Sequence, residues 1–576
     1  MLAKLIKLTK KRFFWPLLLI VLVVPTFTFL LKPGLYWNMH DDMQMVRQLE
    51  MEKCLKDGQV PCRWTPDLGY EYGYPLFNFY PPLPYIVGQF FRGIGFTFMG
   101  AVKSSTIVLI ITSTLAMYLL ANSLSGPIGG FLAALFYAYV PYHAVDIYVR
   151  GAMNEAWATL FFPLIFYFSK KLLTSKLNTI YLLLLSLSWT GLLLSHNPMA
   201  MTFVFFFAPW CLYWYLKEYH HFQIKPILSL FASGLLALAL AAFFTLPVLF
   251  ESKLVQIESM FENYYYYSVH FVSFKQLFFS NFWGDGPSVW GTFDGMSYAL
   301  GFLHWFLPLL MAIYFIYFSV KKKNLKESFL PLMIILLAFM ATFMSHERST
   351  FIWQHLSFIQ KIQFPWRFLN HSAFLFSLSL AFLPSLLKKI SSRIYSILIP
   401  IIILALILLN YKYFFPVTFG PLTDAQKFSG LAWSNQTTSG IYDYLPKTAA
   451  TAPKSKAAEI IDAVSPSDTQ YQLQSYQKGT DWWLFNLKND MAAKFTLATL
   501  YFPNFEILDN QQKLDYQIEP NLGRIVLNLN PGQHQIYLKF TDTPIRRFSN
   551  YLSLFTWIFI LVYFIKHLWN LKKLKK

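Results

Sequence analysis

The sequence predicts a mostly α-helical, polytopic membrane protein with a small β-sandwich near its C-terminus. Three observations carry that prediction. Only 13% of the 576 residues are charged, against 55% hydrophobic and 19% aromatic, whereas a soluble globular chain carries about 25% charge. Apolar runs long enough to cross a bilayer recur from end to end, about twelve in all. Between the last two, apolar and polar residues alternate with a period of two, as half-buried strands do. The net charge of +19 does not point to nucleic acid. Its basic residues sit in short clusters between apolar runs, where topology determinants lie, and no folded domain presents a basic face.

The first element follows Lys4, Lys7, Lys10, Lys11 and Arg12 and is the apolar run 13–31. About 19 residues rising 1.5 Å each cross ~30 Å of hydrocarbon. The run is too long for a signal peptide and no small-residue cleavage site follows, so an uncleaved anchor is expected. Further spans are expected at 100–122, 127–146, 153–170, 178–195, 199–216, 226–250, 300–320, 328–345, 366–387, 393–415 and 549–568. With the N-terminus inside, the inner loops are 123–126, 171–177, 217–225, 321–327, 388–392 and the tail. Lys170, Lys171, Lys176, Lys217, Lys225, Lys321, Lys322, Lys323, Lys326, Lys388, Lys389, Arg393, Lys572, Lys573, Lys575 and Lys576 all fall on that side. Only the 123–126 turn carries no Lys or Arg, so one register satisfies the positive-inside rule. Both termini are then cytoplasmic, and 32–99, 251–299, 346–365 and 416–548 face outward.

In the last of these, the runs 470–476, 482–487, 495–501, 524–529 and 535–540 alternate, and Lys478-Gly479, Asn489-Asp490, Asp509-Asn510 and Asn530-Pro531-Gly532 mark turns between them. The domains expected are therefore a transmembrane domain at 1–415, an extracytoplasmic β-sandwich at 416–548, and a final helix with a basic cytoplasmic tail at 549–576. Cys54 and Cys62 lie in the first outer loop, where an oxidising compartment permits a disulfide that spacing alone does not require. Cys211 lies within an apolar run, and no CxxC or His/Cys metal spacing occurs.

The first outer loop opens Leu35-Tyr36-Trp37-Asn38-Met39-His40-Asp41-Asp42. Its acids read two ways. Asp41 can cap a helix 42–55, with Gln44 completing a capping box and Met43, Val46 and Leu49 forming a face that lies on the membrane. Asp41 and Asp42 are equally placed to act as a catalytic base near the outer interface. Beyond them Trp64, Tyr70, Tyr72, Tyr74, Asn78 and Tyr80 stand among Asp67, Glu71 and several Gly and Pro. Aromatic faces stack on sugar C–H surfaces while acids and amides bind hydroxyls. An interfacial aromatic belt accounts for the Trp and Tyr but not for the Gly, Pro and acids.

Ionisable residues at membrane depth are costly and are functional candidates by default. Arg150 is a candidate phosphate ligand or a snorkelling side chain. Glu155 is a candidate substrate or metal ligand, or a first-turn acid favoured by the helix dipole with Asn154 as cap. His196, beside Asn197 at the outer end of a span, reads as a phosphate or sugar ligand or as a structural histidine. In Pro365-Trp366-Arg367, the proline and tryptophan can set helix entry, and the Arg367 guanidinium can fork onto phosphate. Tyr264 to Tyr267, Asp285 and Asp294 are candidate lining for an acceptor groove.

Taken in order, Asn38-Met39-His40-Asp41-Asp42, Gly73-Tyr74-Pro75, Tyr80-Pro81-Pro82, Val149-Arg150-Gly151-Ala152-Met153-Asn154-Glu155, Ser195-His196-Asn197, Phe364-Pro365-Trp366-Arg367-Phe368 and Tyr444-Leu445-Pro446 form a pattern through nearly the whole chain. With its anchor helix and acidic outer loop, the chain resembles the GT-C superfamily of glycosyltransferases. More narrowly it is similar to the bacterial integral-membrane family labelled 6-pyruvoyl-tetrahydropterin synthase-related. That label does not describe chemistry here, since no zinc-binding His cluster is present. The resemblance implies a GT-C-like bundle taking sugar from a polyprenyl-phosphate donor on the outer side, for a glycan, lipid or protein acceptor of the cell envelope. Asp41 or Asp42 would take the acceptor's proton, and one displacement would invert the anomeric centre. Arg150, Arg367 and His196 would hold the phosphate, with Glu155, Asn197, Tyr72, Tyr74, Tyr80 and Trp366 around the substrates. Asp41, Asp42 and Glu155 could hold Mg²⁺ or Mn²⁺, whereas a monophosphate donor is also served by Arg and Lys alone. Two rivals stand beside this reading, a lipid or glycan transporter or flippase and a non-catalytic glycan-binding or assembly protein.

Overall fold

The computed structural model describes residues 13–289, 291 and 293–574. The basic cluster from Lys4 to Arg12, and Lys575 and Lys576, lie outside the described residues. Contacts divide the chain into two compact units. One holds the N-terminal stretch up to Asp42 with Met99–Ala237 and Asn263–Leu422; the other holds Met43–Phe98, Leu238–Glu262 and Thr423–Lys576.

The first unit is helical. Its opening helix, Phe14–Val23, passes into a 3-10 turn at Val24–Thr26, shorter than the continuous span expected over 13–31. Pro25 explains the change, because it lacks the N–H that would continue the α ladder past Val24. The Tyr139 and Tyr148 hydroxyls donate to the Leu22 and Thr26 carbonyls, both at 2.7 Å, and pin the helix end. Phe98–Ala138 is broken at Gly126 (φ 78°) and resumes at Pro127, a left-handed glycine closing one helix and a proline opening the next. The two arms fold back on each other, since a Cβ on Gly130 would lie 2.9 Å from the Asn122 backbone. Helices Met153–Thr174, Thr179–Ser195, Asn197–Glu218, Phe302–Lys322, Phe329–Met344 and Ser392–Asn410 lie at the positions of expected spans, as does Pro365–Ile390. The strands β1 (Leu35–Trp37) and β2 (Phe419–Pro421) pair antiparallel and tether the segment that leads to Asp41.

Six helices among the described residues are long and apolar enough to cross a membrane, or eight if each of two bent pairs is one span. The other four expected spans fall short for visible reasons. Phe14–Thr26 and Thr179–Ser195 are short, Met153–Thr174 carries Glu155, Lys170 and Lys171, and the second arm of Phe98–Ala138, which begins at Pro127, is short as well. The run expected as one span at 226–250 is two helices, Ile224–Leu240 and Ala242–Glu251.

The second unit is built on nine strands in two sheets. β3 (Ile461–Ser465), β4 (Tyr471–Lys478), β5 (Trp482–Asn489), β6 (Ala493–Leu500), β7 (Phe505–Asp509), β8 (Gln512–Lys513), β9 (Tyr516–Ile518), β10 (Arg524–Leu529) and β11 (Gly532–Phe540) pair as β3-β6-β10-β9 and β4-β5-β11-β7-β8. Alternate residues of both sheets, among them Phe495, Leu527, Phe485, Ile507 and Ile536, enter one apolar core, so the expected sandwich is present. Tyr72, Tyr74, Trp64 and Phe79 of the first outer loop enter the same core.

The helix expected at 42–55 is Gln44–Lys56 instead. Met43 stands at its N-cap position without a side-chain cap, two residues beyond the place expected for Asp41. Nor does it rest one apolar face on a membrane, for Gln44, Arg47, Gln48, Glu50 and Glu52 are buried along with Met45, Val46 and Met51. Its polar side chains find partners within the unit. Arg47 donates to the Tyr80 hydroxyl at 2.9 Å, the Tyr85 hydroxyl donates to Gln44 at 2.8 Å, and Arg92 pairs with Glu52 at 2.5 Å. Cys54 and Cys62 form a disulfide.

A polar knot closes this unit. The Glu251 carboxylate accepts from Arg546 Nε at 2.8 Å, Thr543 Oγ1 at 2.6 Å and Asn78 Nδ2 at 2.9 Å. Pro247 cannot donate to the Phe243 carbonyl, and the Arg63 guanidinium donates to it at 3.0 Å instead. The terminal helix Pro544–Leu574 receives the break at Ala241, with Ser553 Oγ accepting from Phe243 N–H and Trp557 Nε1 donating to the Leu240 carbonyl.

Candidate functional site

The first unit gathers most of the singled-out charges in one place. The short helix Pro141–Tyr148 begins with proline at N1 and carries Tyr142 and Asp146. Arg150 follows Asp146 by four residues, and Gly151 (φ 64°) turns the chain into helix Met153–Thr174, whose first turn bears Glu155. A side chain at Gly151 is excluded twice, by its positive φ and by Met39, whose Sδ would lie 2.4 Å from an added Cβ. From the other end of the sequence, the 3-10 turn Pro365–Arg367 leads into helix Phe368–Ser379 and brings Arg367 and Asn370.

These residues form a buried ion cluster. Arg150 pairs with Asp146, and donates to Glu155 Oε2 at 2.8 Å and to the Tyr142 hydroxyl at 3.3 Å. Arg367 Nε donates to the same Glu155 oxygen at 3.1 Å. Asn370 Nδ2 bridges the two acids, at 2.9 Å from Asp146 Oδ2 and 3.0 Å from Glu155 Oε1. The Trp366 ring lies 4.3 Å from the Arg150 guanidinium. Its own N–H is held by Ser288 Oγ at 2.9 Å, which also receives the Tyr298 hydroxyl. Two carboxylates and two guanidiniums balance formally, and such burial is sustainable only with the remaining hydrogen bonds filled. Side-chain exposure of Asp146 and Glu155 is 0% and 1%, so the ions meet each other and not solvent.

The acidic pair approaches this cluster through the backbone. His40 N–H donates to the Val149 carbonyl and Asp41 N–H to the Arg150 carbonyl, both at 3.0 Å. Asp41 and Asp42 are half-buried. The His40 imidazole lies 3.0 Å from the Asp285 carbonyl. Burial lowers its pKa, and the Arg150 charge adds to that against the opposite pull of the Asp285 carbonyl. The Asp285 carboxylate accepts from Thr418 Oγ1 at 2.9 Å.

Most of the expected ligands are already engaged. Arg150 and Arg367 do not present open guanidiniums for phosphate, because Glu155 and Asp146 already neutralise them. His196 spends Nδ1 on the Met199 N–H at 3.2 Å as a helix N-cap, beside Asn197 at the helix start. In the second unit Tyr72 donates to Asp462 at 2.8 Å, Tyr74 to the Gly440 carbonyl at 3.0 Å, and Tyr80 receives Arg47, so their hydroxyls serve the fold. Asp294 accepts from Gln276 and Ser280. No three His, Cys, Asp or Glu among the described residues come together to hold a metal ion. The set Asp41, Asp42 and Glu155 is therefore not assembled, and Glu155 faces arginines instead.

Sequence reading did not single out Asn370. Its signal was an amide in an apolar run, one helical turn beyond Arg367. Asp146 had a comparable signal, an acid four residues ahead of an arginine.

No family model and no curated protein matches the chain. Two solved structures of the oligosaccharyltransferase of Archaeoglobus fulgidus are similar. One is tethered by a disulfide to an acceptor peptide containing the NVT sequon, with a TM-score of 0.41 and 15% identity over 77% of this chain and 60% of that one. The other, a complex with Zn and sulfate, has a TM-score of 0.40 and 14% identity over 77% and 58%. This chain thus spans about three-fifths of the length of those structures.

Proposed function

We propose that the protein is a GT-C-type membrane glycosyltransferase that moves a sugar from a polyprenyl-phosphate donor to a cell-envelope acceptor outside the cytoplasm. The observation that supports this reading most is the Asp41 N–H bonded to the Arg150 carbonyl, which sets the acidic pair beside a cluster containing both arginines. In this scheme Asp41 or Asp42 takes the acceptor hydroxyl's proton, and one displacement inverts the anomeric carbon. Arg150 and Arg367 stabilise the leaving phosphate once it competes with Glu155 for them, an exchange of one anion for another at the same guanidiniums. The domain plan 1–415, 416–548 and 549–576, with termini inside and the sandwich outside, belongs to the same proposal.

A second reading has its own support. Because both arginines are already paired with carboxylates, the cluster also suits a non-catalytic glycan-binding or assembly protein. Mass spectrometry of cell-envelope glycans separates the two, using a strain lacking the protein and complemented with wild type, Asp41→Asn or Asp42→Asn. The transferase reading expects a product lost in the deletion and reduced on the order of a hundredfold by one of the two variants. Full product with both variants would leave the non-catalytic reading.

A further inference from the structure

A cleft of about 620 Å³ opens in the first unit between the segment around helix Phe274–Phe278 and the helix Phe329–Met344. Phe274, Leu277, Phe278, Phe339 and Phe343 give it apolar walls, and its size is that of a ligand site. Lys275, His346, Glu347 and Arg348 line its edge. Lys275 and Arg348 are exposed. Neither forms a salt bridge among the described residues, unlike Arg150 and Arg367, which are held by Glu155. None of the cluster residues and neither Asp41 nor Asp42 lines the cleft.

We propose that this cleft binds a phospholipid of the bilayer with a net negative headgroup, an acyl chain lying along the phenylalanines and the phosphodiester held by Lys275 and Arg348. Three features argue for that occupant. The walls suit an aliphatic chain and offer few groups to a sugar or nucleotide. Three of the edge residues, His346, Glu347 and Arg348, follow directly on the apolar helix ending at Met344, where headgroup phosphates lie if that helix spans a bilayer. Two cations against the single acid Glu347 leave the edge net positive, which favours an anionic over a zwitterionic headgroup. A guanidinium beside an ammonium also fits phosphate, one as a fork and one as a point charge. Nothing in this requires catalysis.

Native mass spectrometry of the full chain in detergent, titrated separately with phosphatidylglycerol and phosphatidylcholine, tests the inference. One phosphatidylglycerol should be retained on the order of tenfold more tightly than phosphatidylcholine. Lys275→Gln with Arg348→Gln should erase that preference, and Glu347→Gln should strengthen it. Phe339→Trp, which fills the cleft, should weaken both lipids. Equal retention of the two lipids by wild type, or an unchanged preference in the Lys275/Arg348 double variant, would overturn it. So would displacement of phosphatidylglycerol by an equimolar polyprenyl phosphate, because the cleft would then belong to a lipid-phosphate substrate. The three variants alter only side chains at the cleft surface, so their fold is checked by the same spectra.

Discussion

Replacing Glu155 by Gln keeps the shape of the side chain and removes one charge from the centre of the cluster. In the native arrangement its carboxylate receives Arg150 at 2.8 Å, Arg367 at 3.1 Å and Asn370 at 3.0 Å. After the change, two guanidiniums share only Asp146, and the cluster carries one uncompensated positive charge. Breaking a buried pair by removing one partner costs about 3–5 kcal/mol. The lower end applies here, because Arg150 keeps Asp146 while Arg367 keeps the Ile362 carbonyl at 2.6 Å and Gln363 Oε1 at 3.0 Å. About 3 kcal/mol is roughly a hundredfold in the folding equilibrium. Denaturant unfolding in detergent, read on wild type, Glu155→Gln, Arg367→Leu and the double variant, measures the cost and the coupling. The double variant should be more stable than the sum of the single losses predicts, by about 0.5–3 kcal/mol. A Glu155→Gln loss below about 0.5 kcal/mol, or strict additivity, would refute the view that these charges depend on one another.

Two more outcomes are expected. Gly151→Ala should cost about 1–3 kcal/mol from its positive φ and its contact with Met39; adding Met39→Ala should recover the steric part alone, as thermal denaturation of the three proteins would register. Glu50 is held well above its ordinary pKa of 4.5, by burial first and then by the Asp67 charge. The folded state therefore binds its proton more tightly than the unfolded state does. This contribution is complete below about pH 4.5 and is lost as pH rises through the folded value, so Glu50→Gln should flatten the decline of the unfolding midpoint that sets in above about pH 4.5.

The helical spans and much of the sandwich were legible because burial imposes a period on the sequence. The strand expected at 524–529 is found as β10 at those bounds, and the run at 482–487 lies within β5. β3, β7, β8 and β9 escaped because they are short, too brief for alternation to stand out from turn residues. The helix after Asp42 was misjudged for a different reason. Its apolar residues predict a face resting on the membrane, yet Gln48 and Glu52 reach Tyr85, Gln89 and Arg92, side-chain and backbone partners about forty residues on, which no local pattern displays. Likewise the cost of burying Arg150, Glu155 and Arg367 marked each as exceptional. That they answer one another is a fact of tertiary structure, since more than two hundred positions separate Glu155 from Arg367.

The knot at Glu251 bears on how the polypeptide is made. Its carboxylate is completed by Asn78, Thr543 and Arg546, and the last two leave the ribosome nearly three hundred residues after Glu251. Until they arrive, a nascent chain holds an acid at a site built to bury it, and Arg63 lacks its contact with Asn550. Prematurely released fragments would keep Asn78 as a partner of that acid but lack Thr543 and Arg546.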